Sequence, residues 1–228
     1  MKRKYFQNLD GLRFILAMVV FFGHSRLGEV LKDVSSIDFF DRIINIGSAG
    51  YLAVSFFFTL SGFLITYLII EEKENTGNFS LRNFYLRRII RIWPLYYVVL
   101  FFTFFIYPLI KVQLGYMDQN PYNLLYQLFF LSNFDNISVD QQGLVDVAPM
   151  MISINWSIAI EEQFYAVWPI LFFITGARRF WIAIISVILI SWYCRTFLLE
   201  GHALYYHTFS VISDLGIGAL LAYLIFYN

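Results

Sequence analysis

The stretch Leu9–Gly28, LDGLRFILAMVVFFGHSRLG, decides the fold. It is apolar enough to enter a bilayer, yet it carries Arg13 near one end and His24 near the other. Their separation is close to three whole turns, so both side chains leave the same helix face, about 16 Å apart along the axis. A cation inside a membrane helix costs roughly 2.5–3.5 kcal/mol on insertion scales, so such a helix turns it toward protein or water. One reading gives this face a polar cavity that holds the chemistry. The other gives a snorkelling Arg13 near the headgroups and an interfacial His24.

Composition agrees with a membrane setting. Of the 228 residues 59% are hydrophobic, 21% aromatic and only 14% charged, whereas soluble domains carry about 25% charged residues. The zero net charge gives no reason to expect nucleic acid as a partner. A single cysteine, Cys194, excludes an internal disulfide and any cysteine-based metal cluster. The N-terminal MKRKYFQNLDG resembles the start of a signal peptide, but Asp10 and Arg13 interrupt the apolar part and no small-x-small site follows. A retained first span is the better reading.

Six segments are long and apolar enough to span as helices: 9–26, 50–71, 93–112, 156–175, 180–199 and 210–227. Lysine and arginine placement sets their direction. Ten fall on one side: Lys2, Arg3 and Lys4 in the tail, Lys73, Arg82, Arg87, Arg88 and Arg91 in the loop after the second span, and Arg178 and Arg179 after the fourth. Five fall on the other, Arg26, Lys32, Arg42, Lys111 and Arg195, diluted by acids. The first side, with the N-terminus, is expected in the cytoplasm. The short apolar run 123–134 cannot cross once without breaking that parity, so a re-entrant or interfacial helix is expected there. The polar stretch 135–150 reads as an outer loop. The architecture expected is an all-α polytopic bundle of about six spans plus that short helix, one membrane domain over residues 1–228.

Several residues carry candidate chemistry. Ser55, Thr59, Ser61 and Gly62 in the second span suit close helix packing. Arg87, Arg88 and Arg91 fall within about a turn of one another if helical. Their planar forks suit phosphate oxygens, and they equally suit lipid headgroups. Glu161 and Glu162 lie inside an otherwise apolar span, NWSIAIEEQFYAVWP, with Ser157 one turn before Glu161. Intramembrane carboxylates mark functional sites by default; a purely structural pairing with an arginine is the other reading. Asn155, Trp156 and Ser157 form a polar lip, and Pro169 is expected to kink or interrupt the helix. Asp214, His202 and His207 match no defensible metal-ligand spacing, so no metal site is expected.

Four pieces stand in order: Arg13-x10-His24, GYLAVSFFFTLSGFLI, FYLRRIIRIWPLYY and WSIAIEEQFYAVWP. Together they resemble the acyltransferase family 3 membrane proteins, O-acyltransferases of bacterial surface and secreted glycans. The resemblance covers almost the whole chain. It implies an acyl-CoA donor, usually acetyl-CoA, presented from the cytoplasm as a substrate rather than a bound cofactor. It implies a glycan or lipid-linked sugar as acceptor and the bacterial cytoplasmic membrane as location. His24 matches the family's essential first-span histidine and Arg13 its partner. Arg88 and Arg91 match the basic motif held to grip the CoA side, with Arg87 beside them. Glu161 matches the glutamate of the fourth motif. Family members typically have about ten spans, so a truncated core is expected. Direct transfer and a relay through acyl-His24 both remain consistent with these residues, as do two rival classes, a glycan or lipid flippase and a catalytically incomplete scaffold.

Overall fold

The computed structural model describes residues 8–24, 47–116, 120–145 and 150–227. Among these residues every regular element is helical. Five stretches are long and apolar enough to cross a membrane: Leu52–Thr76, Leu81–Gln113, Met151–Thr175, Ala177–Phe197 and Ala203–Tyr227. The expected first span is the helix α1, Leu9–His24, of 16 residues. Residues 25 and 26 of that expected span lie outside the described residues.

The second span belongs to α2, Gly47–Thr76. Gly77, at φ +73°, ends it, and the Lys73 ammonium donates to the Gly77 carbonyl at 2.9 Å. A left-handed residue is cheapest at glycine, which has no Cβ to clash. The next helix, α3, Leu81–Phe101, starts about three turns earlier than expected. Its N-cap Ser80 accepts the Asn83 N–H, which satisfies one of the free donors of the first turn. Arg82, Arg87, Arg88 and Arg91 are therefore on a helix and not in a loop. Phe84, buried in the core, and Leu81, Tyr85 and Ile92, packed partly buried against that core, hold this polar start to the bundle. A π-turn at Phe102–Ile106 leads into α4, Tyr107–Gln113.

The region 123–134 is two helices rather than one. They are α5, Leu124–Leu128, and α6, Ser132–Gln141, broken where Phe130 adopts φ +55°. The expected loop 135–150 is helical through Gln141, because Asp135 is buried and accepts the Asn123 N–H and the Gln127 amide, both at 3.0 Å. Residues 146–149 of that loop lie outside the described part. A short α7, Met150–Ser153, precedes α8, Trp156–Thr175. Pro169 does not interrupt α8; it is buried within a continuous helix. After Gly176 come α9, Phe180–Phe197, a short α10, Ala203–Tyr206, and α11, Thr208–Tyr227.

The core lies between α2, α8, α9 and α11 and includes Phe58, Ile65, Ile160, Trp168, Ile184 and Leu215. Helix α2 is central. On one side α11 crosses it with backbones almost in contact at Gly62 and Gly218. On the other, Leu16 of α1 packs with Ala53 and Leu60. The bundle has two distinct ends. One gathers the Glu72–Arg87 ion pair at 2.7 Å and the Tyr223 hydroxyl on the Arg178 carbonyl at 2.9 Å. The opposite end gathers α5, α6, α7 and α10, tied by Asn133 to Thr208 and by Asn136 to the Ser153 carbonyl.

Candidate active site

Three successive residues of α8 organise the interior. Side chains on an α-helix are spaced by about 100°, so Glu161, Glu162 and Gln163 fan out toward three different neighbours. Glu161 faces α2, where the buried Ser61 hydroxyl donates to Oε1 at 2.7 Å. The Tyr165 hydroxyl, one turn on, donates to its Oε2 at 2.9 Å. Glu162 faces α3, where the Trp93 indole N–H donates to Oε2 at 3.0 Å. Gln163 donates to the Phe130 carbonyl at 2.7 Å and to Asn133 at 2.9 Å, and accepts from Thr208. One helical turn thus ties α8 to α2, α3, α6 and α11.

Arg88 occupies the gap between these carboxylates and the basic end. Its guanidinium lies 5.8 Å from the Phe84 ring centre and 5.4 Å from that of Tyr165. Ring faces attract a planar cation and leave its edge N–H groups free. Among the described residues no hydrogen-bond acceptor engages it, although Glu161 and Glu162 are close enough to act on its charge. Arg88 lines two pockets. The first, about 380 Å³, lies toward the basic end and is walled by Glu72, Thr76, Phe79 and Arg87. The second, about 360 Å³, lies between α3, the turn at Phe130 and α8, and Glu162 and Trp93 line it.

The structure brings part of the expected set together. Arg13 is half-buried on α1 and close enough to Glu161 to act on it electrostatically. The helix continues from Arg13 to His24, so the expected three-turn spacing holds in the backbone; the His24 side chain lies outside the described residues. Arg87 walls the first pocket and pairs with Glu72. Arg91 is exposed and lines neither of these two pockets. Asn155 and Trp156 are not a polar lip: both are buried, with Trp156 against the Tyr205 and Tyr206 rings, because α10 folds over them. Ser157 turns back to the Ile154 carbonyl and does not share Glu161. His202 pairs with Asp140, whereas Asp214 accepts the Ser55 hydroxyl at 2.7 Å. These do not converge, and among the described residues no three potential ligands cluster.

Sequence reasoning missed Ser61 as a partner of Glu161, Tyr165 as the link to Arg88, and Trp93 and Gln163 altogether. The i, i+4 spacing of Glu161 and Tyr165 was the one available signal. The others depend on which helices become neighbours.

Comparison with known proteins now adds to this geometry. A family model described as an acyltransferase domain matches residues 6–227. The chain belongs to that family, acyltransferase family 3. A Staphylococcus aureus (strain COL) protein named "Putative O-acetyltransferase" is 28% identical over 232 residues, 98% of this chain and 35% of that protein. The "Peptidoglycan O-acetyltransferase OatA" of Listeria monocytogenes is 31% identical over 176 residues, 73% of this chain and 24% of its own length. The chain therefore spans about a third or less of these curated relatives. No solved structure matches it.

Proposed function

We propose that this chain carries the catalytic core of a membrane O-acyltransferase. It moves an acyl group, acetyl in the simplest case, from cytoplasmic acyl-CoA to a hydroxyl of a cell-surface or lipid-linked glycan. The observation that carries the reading is Arg88, an interior guanidinium without an acceptor among the described residues, standing between two pockets. CoA phosphates suit the first pocket, where Arg87 and Arg88 present fork-shaped donors beside the aromatic Phe79. The pantetheine arm then passes Arg88 toward the level of Glu161 and Arg13. The N-terminus and the basic end face the cytoplasm of a bacterial inner membrane in this arrangement.

The chemistry needs a base. His24 takes the proton of the acceptor hydroxyl, the oxygen attacks the thioester carbonyl, the C–S bond breaks, and CoA leaves as a thiolate that is then protonated. A positioned base contributes about 10²–10⁴-fold. Arg13 supplies positive charge along the passage, and Glu161, held by Ser61 and Tyr165, orients that interior site. The test is ester-linked acetate on surface glycan from cells carrying wild type, His24→Ala or Glu161→Gln in the full-length protein. Loss of decoration with unchanged glycan quantity supports the reading. Full decoration in His24→Ala, or a change in glycan amount alone, overturns it.

A further inference from the structure

The second pocket has the composition of a carbohydrate site. A pyranose ring has apolar C–H faces and a rim of hydroxyls. It is held where aromatic rings flank a few convergent polar groups, the general pattern of small-ligand sites. Here Tyr85, Trp93, Phe129 and Tyr165 supply rings, and Glu162 and Arg88 supply the polar groups. At about 360 Å³ the cavity lies within the size range of such sites.

Two further observations single it out. Glu162 uses only one of its carboxylate oxygens: Oε2 takes the Trp93 indole N–H, whereas Oε1 is buried with no partner among the described residues. A buried carboxylate oxygen left unsatisfied is costly, and a hydroxyl donor in the pocket would satisfy it. The pocket wall is also strained. Phe130, which lines it, sits at φ +55°, a conformation that L side chains rarely adopt. Three hydrogen bonds hold its turn: Gln163 to the Phe130 carbonyl, Tyr96 to the Gln127 carbonyl and Tyr97 to the Leu128 carbonyl. Strain that neighbours over-determine in this way accumulates at functional sites.

We infer that this cleft seats one sugar ring of the acceptor glycan, with a ring hydroxyl donating to Glu162 Oε1 and the ring face against the aromatic wall. The inference rests on the acyltransferase reading for its choice of ligand. Glu162 is here a group that holds the acceptor, and Trp93 positions Glu162. Arg88 then stands between donor and acceptor pockets, the arrangement a transfer between two substrates requires.

Binding can be measured without any acyl donor. Full-length protein in nanodiscs is titrated calorimetrically with the β-1,4-linked tetramer of N-acetylglucosamine and, separately, with maltotetraose. Wild type is expected to bind one of them. Glu162→Gln is expected to bind about tenfold more weakly, because glutamine must keep its oxygen for Trp93 and so turns an N–H₂ toward the sugar. Trp93→Phe is expected to weaken binding as well, by freeing Glu162 from its orientation. Arg87→Ala, which alters only the first pocket, is expected to bind sugar as wild type does. Thermal melts confirm that each variant is folded; should Glu162→Gln fail to fold, Phe129→Ala at the pocket edge replaces it, with the same expected loss. No binding of either tetrasaccharide by wild type, or full binding by folded Glu162→Gln and Phe129→Ala, overturns the assignment. Acetyl transfer that survives in those variants would reject this pocket and leave the enzyme reading standing. Sugar binding lost in Glu162→Gln, in a protein that transfers no acyl group, would reject the enzyme reading and keep the pocket.

Discussion

Arg88 shows how much one side chain depends on its setting. The sequence presents Arg87, Arg88 and Arg91 as near equivalents, and helical geometry separates them. Arg87 is exposed and paired with Glu72, Arg91 is exposed, and Arg88 turns inward between two rings. Lysine keeps the charge but loses the planar fork and the ring stacking. Arg88→Lys is therefore expected to lower kcat/KM for acyl-CoA by about tenfold or more, roughly 1.4 kcal/mol, with a wild-type melting temperature. Wild-type kinetics would reduce Arg88 to a charge marker. Asp135 gives a second residue-scale prediction. Burial pushes its carboxyl above the usual range, against the pull of the Gln127 and Asn123 donors. The folded state therefore holds the proton more tightly than the unfolded one, and stability falls as pH rises from the ordinary carboxylate value through the raised one. Asp135→Asn keeps an acceptor for both donors and is expected to flatten the melting-temperature profile across that window. An unchanged slope would show that Asp135 ionises at no cost. Arg13, His24 and Glu161 were legible as candidates because charge in an apolar run is visible in one dimension. Glu162 was legible in the same way, but its partner Trp93 and the role of Gln163 were not, since these pairings arise only once α3, α6 and α11 surround α8.

At the scale of elements, the α2–α11 crossing is the tightest contact described. A Cβ on Gly62 would stand 1.9 Å from the Leu215 carbonyl oxygen, and one on Gly218 would stand 1.8 Å from the Thr59 carbonyl oxygen. Both obstacles are backbone, so neither can rotate away, and the helices must separate. Lipid tails give membrane helices no hydrophobic reason to associate, so they depend on such close approach. Gly62→Ala and Gly218→Ala are each expected to cost about 1–3 kcal/mol or more, read as a fall in the detergent melting temperature. Gly216→Ala is the control: its nearest obstacle at 2.8 Å is the Ile188 side chain, which can move. Equal tolerance of all three would mean that α2 and α11 are not held together here. The packing role of small residues in the second span was readable from composition. The early start of α3 was not, because four arginines over its first three turns look like a loop until Ser80 is seen capping them. Nor was the break at Phe130, since a strained turn inside an apolar run carries no glycine to announce it.

At the scale of the whole molecule, a polar column runs through an apolar bundle. From the basic end it passes the first pocket, Arg88, Glu161 with Glu162, the second pocket, and the Gln163–Asn133–Thr208 cluster at the opposite end. A column of this kind is useful only if its two ends meet different compartments, so orientation is the testable consequence. Among the described residues Lys73, Arg82, Arg87, Arg88, Arg91, Arg178 and Arg179 lie toward the basic end, and Lys111 and Arg195 terminate helices that run away from it. Positive residues are retained in the cytoplasm when short loops are threaded, so the orientation proposed above has the basic end and the first pocket facing inward. Cys194 is the one cysteine and is buried, so a Cys194→Ser background gives a clean reporter. Thr76→Cys, at the exposed rim of the first pocket on the basic end, and Gln142→Cys at the other end are both exposed positions. In intact spheroplasts a membrane-impermeant maleimide is expected to label Gln142→Cys at once and Thr76→Cys only after permeabilisation. The reverse pattern would put the phosphate-compatible pocket outside, where no acyl-CoA is available, and the donor path proposed above would have to start from the opposite end.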